Sequence, residues 1–244
     1  MIISITSGKG GTGKTTATSA IGSCLAAMGK KTLCVDMDFA LPNLDLALGM
    51  TALPLLDFRD VAIGRCTLDE AVVEHPEISN LYLLSAIVGN QDEILTEEAV
   101  QLVMKEIDKS FDFGIIDAPA GIGGGFALTS MFSDKALVIS TLDSTSLRDS
   151  QRVVMELSDM GIEDASLIVN RVRPEIFRRA KSYVDDMIDY IGLPIIGLIP
   201  EDSDVLLASA RSKALILVSR KRAAKAFLRV ARRLTGEKVP LKYR

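Results

Sequence analysis

The sequence predicts one α/β domain, residues 1–244, whose mainly parallel sheet is covered by helices on both faces. Apolar segments of strand length alternate with segments of helical periodicity, and no compositional break or linker divides them. Continuous apolar strands separated by helices are typical of a parallel sheet buried on both faces. A glycine-rich run at residues 8–15, between the first strand and the first helix, favours the same three-layer architecture.

The elements are expected in the following order. Strands are expected at residues 1–6, 32–36, 81–85, 113–117, 136–140, 166–170 and 195–200. Helices are expected at residues 15–28, 68–73, 97–109, 147–160, 175–191 and 203–210, followed by a basic helix at about 219–235. A capping box of Thr67 and Glu70 predicts where the second of these helices begins.

Composition excludes several classes of protein. Apolar residues make up 48% and charged residues 25% of the chain, which is typical of a folded globular domain. No run of eighteen apolar residues occurs, so a spanning helix is not expected. The three cysteines, Cys24, Cys34 and Cys66, form no paired motif, which favours a reducing cytoplasm and argues against a metal cluster. The first strand begins at the N-terminus, so no signal peptide is expected.

A phosphate-binding loop is predicted at residues 8–15, which spell Gly-Lys-Gly-Gly-Thr-Gly-Lys-Thr. The run fits the G-x-x-x-x-G-K-[ST] motif in its required context of strand, loop and helix. Its glycines let backbone N–H groups surround phosphate oxygens, and the following helix adds its positive end. In this motif Lys14 contacts the β- and γ-phosphates and the Thr15 hydroxyl ligates Mg²⁺. The chain is therefore expected to bind a nucleoside triphosphate with magnesium, and Lys9 is an extra cation in the loop.

Polar side chains end three of the predicted strands, at the edge where open parallel sheets bind ligands. Asp36 and Asp38 follow the strand at 32–36, Asp117 ends the strand at 113–117, and Asn170 ends the strand at 166–170. Asp117 has the position of a Walker B aspartate, which binds Mg²⁺ directly or through water. The amide of Asn170 offers the donor and the acceptor that an adenine edge requires. Each of these signals is weak alone, because an aspartate after a strand is often a helix cap.

The last part of the chain is strongly basic, although the net charge of the whole is −4. Residues 211–244 contain 12 lysines and arginines and one acid, Glu237, so the rest of the chain is acidic. One interpretation is a terminal helix docked on the sheet with a solvated basic back. The other is a basic face that contacts anionic lipid, nucleic acid or an acidic partner. Nucleic acid is the less favoured of these because the body is acidic.

These motifs resemble those of the ParA/MinD ATPases. Residues 7–16 resemble the deviant Walker A motif of that family, in which a signature lysine, here Lys9, lies upstream of the usual one. The run at 36–49 resembles switch I of the MinD branch, and so does the Leu-Arg-Asp-Ser turn at 147–150. The runs at 117–122, 170–171, 199–202 and 231–241 match in the same order, so the resemblance covers essentially the whole chain.

The resemblance implies ATP and Mg²⁺ as cofactors and slow hydrolysis that a partner stimulates. Catalytic roles are implied for Lys9, Lys14 and Asp38. The metal would be held by Thr15, Asp36 and Asp117. The phosphate loop would contribute Gly8, Lys9, Gly10, Gly11, Thr12, Gly13, Lys14, Thr15 and Thr16. The adenine would contact Asn170, Arg171, Pro200, Glu201 and Asp202.

The same resemblance implies a molecular switch: two copies dimerise around two ATPs, and Lys9 reaches the partner's nucleotide. The favoured function is placement of the bacterial division septum, with a division inhibitor and an activator bound near Arg148 and Asp149. The alternative is a cytosolic partition or cargo-positioning ATPase of the ParA type. A cytoplasmic location is expected, with peripheral contact at the inner face of the membrane through the basic C-terminal segment. The single histidine, His75, lies in a polar stretch and is expected at the surface.

Overall fold

The computed structural model describes residues 1–51, 56–86, 95–173, 175 and 189–241. Within these residues the strands form one sheet in the order β3-β4-β2-β5-β1-β6-β7-β8. The strands are β1 (Ile2–Thr6), β2 (Thr32–Asp36), β3 (Val73–Glu74), β4 (Leu81–Leu84), β5 (Phe113–Asp117), β6 (Lys135–Ser140), β7 (Ala165–Val172) and β8 (Ile195–Pro200). All neighbouring pairs among them are parallel except β3 with β4.

The described helices cover both faces of the sheet. They are α1 (Lys14–Ala27), α2 (Leu44–Leu48), α3 (Phe58–Ala62), α4 (Leu68–Ala71), α5 (Glu97–Ser110), α6 (Gly124–Ser130), α7 (Ser144–Asp159), α8 (Ser203–Ala210), α9 (Leu215–Val218) and α10 (Arg222–Leu234). On one face, α1 and α10 pack on the central strands through buried residues such as Ile21 and Phe227. On the other face, α3 to α5 cover one half of the sheet and α6 and α7 cover the other.

This arrangement confirms the predicted fold class, a three-layer α/β domain on a mainly parallel sheet. The strands expected at 32–36, 113–117 and 195–200 have the observed bounds, and the other expected strands differ by one or two residues at their ends. These segments are continuously apolar because both faces of the sheet are covered, and nearly all their residues are buried. Sequence periodicity is therefore a strong signal for them.

The helices expected at 68–73 and 147–160 differ from the structure at their ends. The helix expected at 68–73 is only four residues long, because the chain turns extended at Val72 and β3 pairs with β4. Its start is as expected, since Glu70 accepts hydrogen bonds from the backbone and the hydroxyl of Thr67. α7 begins three residues before the expected position, because the Asp143 side chain caps it by accepting from the Ser146 N–H. Most of the helix expected at 175–191 lies outside the described residues.

The expectation of a surface position for His75 is wrong. The side chain is buried, and its Nε2 lies 2.9 Å from the Leu48 carbonyl oxygen. Its Nδ1 accepts from the N–H groups of Glu77 and Ile78, so the ring fixes the turn before β4. These backbone groups replace water around the ring, and the polar sequence context does not reveal them.

No helix within the described part of the chain has the length and apolar character needed to cross a bilayer.

Candidate functional site

The phosphate loop connects β1 to α1 at the carboxyl edge of the sheet. Gly11 and Gly13 have φ values of 78° and 99°, a backbone conformation that residues with a Cβ rarely adopt. At Gly13 a second constraint applies, because a Cβ there would clash with Nδ2 of Asn170. The loop therefore needs glycine at this position both for its turn and for its contact with the end of β7.

Lys14 lies at the first turn of α1 and is buried. Burial lowers the pKa of its ammonium group, and the nearby carboxylates of Asp117 and Asp38 partly offset that effect. A buried cation at the N-terminus of a helix is a strong site for phosphate oxygens, since backbone N–H groups point to the same place. The structure thus places Lys14 where the sequence motif requires it.

Two buried aspartates end adjacent strands beside the loop. Asp36 of β2 and Asp117 of β5 are partners in the sheet register. Asp36 accepts hydrogen bonds from the backbone N–H groups of Asp38, Asn43 and Leu44. Burial raises the pKa of Asp36 to about 6 and that of Asp117 to about 7. Mutual repulsion adds to the effect in Asp117, because desolvation and a like charge both disfavour the ionised form.

Hydroxyl groups on α1 complete this polar cluster. Thr18 donates to Oδ1 of Asp117 over 3.0 Å, and a hydrogen bond with the Thr15 side chain also lowers the pKa of Asp117. Thr18 is a site residue that sequence reasoning missed. It lies about one helical turn after Lys14, outside the phosphate-binding motif, so the motif alone gives no signal for it.

The cluster fits a magnesium ion that is shared with phosphate oxygens. Hydroxyl and carboxylate oxygens are the hard ligands that Mg²⁺ takes, and it usually has only one or two protein carboxylates beside water and phosphates. Thr15, Asp36 and Asp117 supply such a set. No group of three or more His, Cys, Asp or Glu suited to a metal occurs in the described residues, so a site built from protein ligands alone is not found there.

Asp38 follows β2 at the same edge. Its Oδ1 accepts from the Leu41 N–H over 3.2 Å, and its own N–H donates to Asp36 over 2.9 Å. The side chain is half-buried and close enough to Lys14 to influence its pKa. It is therefore held beside the phosphate loop by the same backbone turn that satisfies Asp36.

Lys9, the extra lysine of the loop, is half-exposed and forms an ion pair with Asp143. The Nζ–Oδ1 distance is 3.2 Å, and both side chains remain in contact with water. Hydrogen bonds from the Thr141 hydroxyl, the Ser146 N–H and Lys9 lower the pKa of Asp143 to about 2. Asp143 is thus another residue that sequence reasoning missed, since it lies 134 positions from Lys9.

A cavity of about 340 Å³ adjoins the loop on the β7–β8 side. It brings together the residues expected around adenine with parts of α8 and α10. The lining includes Gly13, Thr16, Asn170, Arg171, Pro200, Glu201, Asp202, Leu206 and Phe227. Of these, Leu206 and Phe227 were not expected from the sequence. Leu206 is 74% exposed and offers apolar surface to a flat aromatic base beside the polar strand ends, whereas Phe227 is almost fully buried.

Several side chains that line this cavity already form hydrogen bonds or ion pairs within the protein. Asn170 donates to the Thr12 carbonyl over 2.8 Å, and its amide oxygen accepts from the Arg171 N–H. Asp202 caps α8 and accepts from the Ala223 N–H as well. Glu201 is exposed and pairs with Arg173.

Arg148 and Asp149 lie near the start of α7, which passes over the loop. Arg148 is exposed and Asp149 is half-buried. A Cβ at Gly8 would lie 2.5 Å from Cβ of Asp149, so this end of α7 contacts the phosphate loop directly. A protein bound at Arg148 would therefore touch a helix that is packed against the nucleotide site.

The basic C-terminal helix is docked on the sheet through its apolar stripe. Its buried residues are Ala223, Ala224, Ala226, Phe227, Val230, Ala231 and Leu234. Lys221, Arg222, Lys225 and Arg232 are exposed on its other faces. The docked arrangement corresponds to the first interpretation of the basic segment, and the exposed cations leave a surface that anionic partners can contact.

Comparison with known proteins places this geometry in a family. Residues 3–216 match the model of the CobQ/CobB/MinD/ParA nucleotide binding domain. A septum site-determining protein MinD from Synechocystis sp. is 36% identical over 241 residues, which cover 98% of this chain and 91% of the relative.

Two solved structures have the same fold and similar sequences. The MinC:MinD cell division protein complex of Aquifex aeolicus contains a chain with a TM-score of 0.91 and 36% identity, covering 99% of this chain and 98% of that one. The septum site-determining protein MinD of Pyrococcus horikoshii, complexed with Mg-ADP, has a TM-score of 0.83 and 28% identity, covering 98% and 99% of the two chains.

Proposed function

The chain belongs to the MinD family of nucleotide-binding domains, and on that premise we propose that it is an ATP-driven switch for placing the division septum. The observation that carries the proposal is the phosphate loop with two buried aspartates beside it and Lys9 exposed at the same edge. The relatives reported above favour this function over a partition or cargo-positioning role.

The protein hydrolyses ATP, with Mg²⁺ as the second cofactor. Lys14 and the loop N–H groups bind the phosphates, and Thr15, Asp36 and Asp117 hold the metal environment. Magnesium supplies Lewis-acid stabilisation of the charge on the transferring phosphoryl group. Asp38 orients the attacking water, since it is held beside Lys14 at the strand ends. The MinD of Pyrococcus horikoshii is described with Mg-ADP, which supports the cofactor assignment.

Dimerisation is the step that completes the catalytic site. Lys9 is paired with Asp143 in a water-exposed contact, and such pairs contribute only about 0–1 kcal/mol. The lysine can therefore exchange Asp143 for the phosphates of a partner copy at little cost. A second cation there stabilises the charge that develops in the transition state, as an arginine finger does. ATP thus favours the dimer, and hydrolysis to ADP releases it.

Protein partners bind the α7 side of the switch. The solved complex of MinD with MinC from Aquifex aeolicus supports a division inhibitor as one partner. Arg148 and Asp149 mark the partner face, because Arg148 is exposed while Asp149 contacts the loop at Gly8. An activator that moves this end of α7 would reach the phosphate loop without touching the nucleotide.

The protein acts in the cytoplasm and contacts the inner face of the membrane peripherally. The exposed cations of α10 supply the attraction to anionic lipid, at about 1 kcal/mol for each lysine or arginine near the surface. One copy presents few such charges, so dimerisation strengthens the contact by bringing two sets together.

The proposal is tested by measuring mass in solution by light scattering with ATP and with ADP. We expect an ATP-dependent dimer for the unmodified chain and a monomer for Lys9→Ala, which still binds ATP. Asp38→Ala is expected to accumulate the dimer because turnover stops. Lys105→Ala, at an exposed position on α5, is the charge-matched control for Lys9. A Lys9→Ala variant that dimerises normally would refute the role of this lysine across the interface.

A further inference from the structure

A large cavity lies on the flank of the domain, away from the nucleotide edge. Its volume is about 550 Å³, and it is formed by the second half of α1, the turn before β4, α9 and the first half of α10. Its apolar lining includes Cys24, Ile78, Ile216, Leu217, Ala224 and Leu228. The functional site described above uses none of these residues.

The cavity exposes apolar surface to water. Leu217 and Leu228, which line it, are each 38% exposed, whereas Cys24 and Ala224 at its base are buried. A mainly apolar concave site of roughly 300–1,000 Å³ with a few polar groups is typical of a small-ligand pocket. A ligand that covered these leucines would gain the free energy of removing apolar surface from water.

The two cations of the lining favour a ligand with an anionic group. Arg220 and Lys225 both border the cavity, and neither forms an ion pair with another described residue. Glu77, the acid in the lining, is already paired with Lys213 over 3.4 Å. The two cations therefore have no acidic partner among the described residues, and an anionic group can take that place.

The residue composition of the apolar lining favours an alkyl chain over a ring. The apolar residues described in the lining are aliphatic or cysteine, and no aromatic side chain is among them. Aromatic ligands gain from stacking on aromatic side chains, which this lining does not offer. A flexible chain can follow an irregular aliphatic surface without such contacts.

We propose that this cavity binds a single-chain anionic amphiphile, such as a long-chain carboxylate, with its alkyl chain on the leucines and its head on Arg220 and Lys225. The site lies away from the nucleotide edge and does not depend on the ATPase function, and it shares Lys225 with the basic surface of α10 described above. The carboxylate replaces the missing acidic partner of the two cations, and the chain covers Leu217 and Leu228.

The test is a fluorescence titration with cis-parinaric acid, followed by displacement with palmitate below its aggregation concentration. We expect saturable binding on the order of micromolar. The neutral hexadecanol should displace the probe at least about tenfold less well, because it lacks the charge that pairs with Arg220 and Lys225.

Two pairs of variants separate specific from general effects. The double variant Arg220→Gln/Lys225→Gln should weaken binding of the fatty acid about tenfold or more. The control double variant Lys221→Gln/Lys238→Gln removes the same amount of charge outside the cavity, and it should change the affinity less than about twofold. Ala27→Phe should block the cavity, since Ala27 lines it and is exposed, whereas Ala27→Ser should not. Nucleotide binding and the unfolding temperature check that each variant is folded.

Equal weakening in both charge variants, or normal binding in Ala27→Phe, would overturn the proposal. Binding to phosphatidylglycerol vesicles without binding of monomeric palmitate would assign the surface to the membrane instead. Displacement of the probe only by an acidic amphipathic peptide would assign it to a protein partner, and that too would overturn the amphiphile site.

Discussion

Asp117 and Asp202 are both buried aspartates at the carboxyl edge of the sheet, but their surroundings differ. Asp117 ends β5 beside Asp36, and its carboxylate receives hydrogen bonds from threonine hydroxyls, while burial raises its pKa to about 7. Asp202 follows β8 and accepts from two backbone N–H groups, with Arg222 at 4.0 Å. The carboxylate of Asp117 is proposed to receive a cation, whereas that of Asp202 holds α8 and α10 together.

The position of an aspartate after a strand does not by itself assign its role. Asp117 ends β5, Asp202 comes directly after β8, and both acids are buried at this edge of the sheet. The hydrogen-bond donors around each acid decide what it does. A carboxylate saturated by backbone N–H groups serves the fold, whereas one with fewer such donors is suited to a metal ion. By the same criterion Asp36, with three backbone donors, chiefly holds the turn at residues 38–44. Its proposed part in the metal environment rests instead on its position beside Asp117 in the sheet register, and is expected to be through water.

Lys14→Ala should have the largest effect of these variants, because it removes the cation of the phosphate loop on the Asp117 side of the edge. Lys14 is a buried cation of the loop near the carboxylates of Asp117 and Asp38, and without it these acids would repel the phosphates. We expect ATP affinity to fall by about 10³-fold or more, measured by calorimetry. Lys105→Ala on α5 is the control, and a Lys14→Ala chain with ordinary ATP affinity would exclude the predicted loop contact.

Asp117→Asn tests whether the buried charge of Asp117 serves turnover while it destabilises the nucleotide-free protein. We expect turnover to fall about 10²- to 10³-fold, because the metal loses a carboxylate. The same change should leave the nucleotide-free protein at least as stable at pH 8, since a buried negative charge is removed. Steady-state turnover and chemical unfolding check the two effects. A marked loss of stability would mean that Asp117 is held by more partners than Thr15 and Thr18.

Asp202→Ala should have the opposite effects, because it should lower stability while it leaves ATP binding nearly unchanged. Removing this carboxylate leaves the N–H groups of Asp204 and Ala223 without their acceptor, so the free energy of unfolding should fall by about 2–3 kcal/mol. ATP affinity should change only a few-fold. Glu201→Ala is the matched control, because its pair with Arg173 is exposed to water and should contribute little to stability. Equal losses in urea unfolding for the two variants would remove the distinction.

A smaller effect is expected in the pH dependence of stability. The folded pKa values of Asp36 and Asp117, about 6 and about 7, lie above the ordinary value of 3.8. The folded chain therefore binds protons more tightly than the unfolded chain, and this contribution is complete below about pH 4. It should be lost progressively as pH rises from about 4 through 6 and 7, so the nucleotide-free protein should be less stable at pH 8 than at pH 5. Asp117→Asn should flatten the curve between pH 5 and 8, and an unchanged slope would contradict this account.

The sequence was most informative where the signal was local. Buried parallel strands are continuous apolar runs, and the phosphate loop is a contiguous motif between a strand and a helix, so β2, β5 and residues 8–15 could be located from the chain alone. The edge at which Asp36, Asp117 and Asn170 lie follows from the parallel topology. The roles of those residues remain predictions.

The rest depends on contacts between distant parts of the chain. Asn170 was expected to face adenine, and its amide is bonded to Thr12 and Arg171, which a sequence pattern does not encode. The pairing of Lys9 with Asp143 and the burial of His75 against Leu48 likewise join segments far apart in sequence. β3 is too short, at two residues, to give any periodicity.

Arg233 fixes the direction in which the segment after α10 leaves the domain. Its guanidinium donates to the carbonyls of Ile196, Val239 and Pro240, which ties that segment to the start of β8. The start of β8 lies at the edge of the sheet opposite the phosphate loop. A reporter protein joined after residue 241 would therefore be carried on the far side from the nucleotide, where it leaves the proposed dimer face open for imaging experiments.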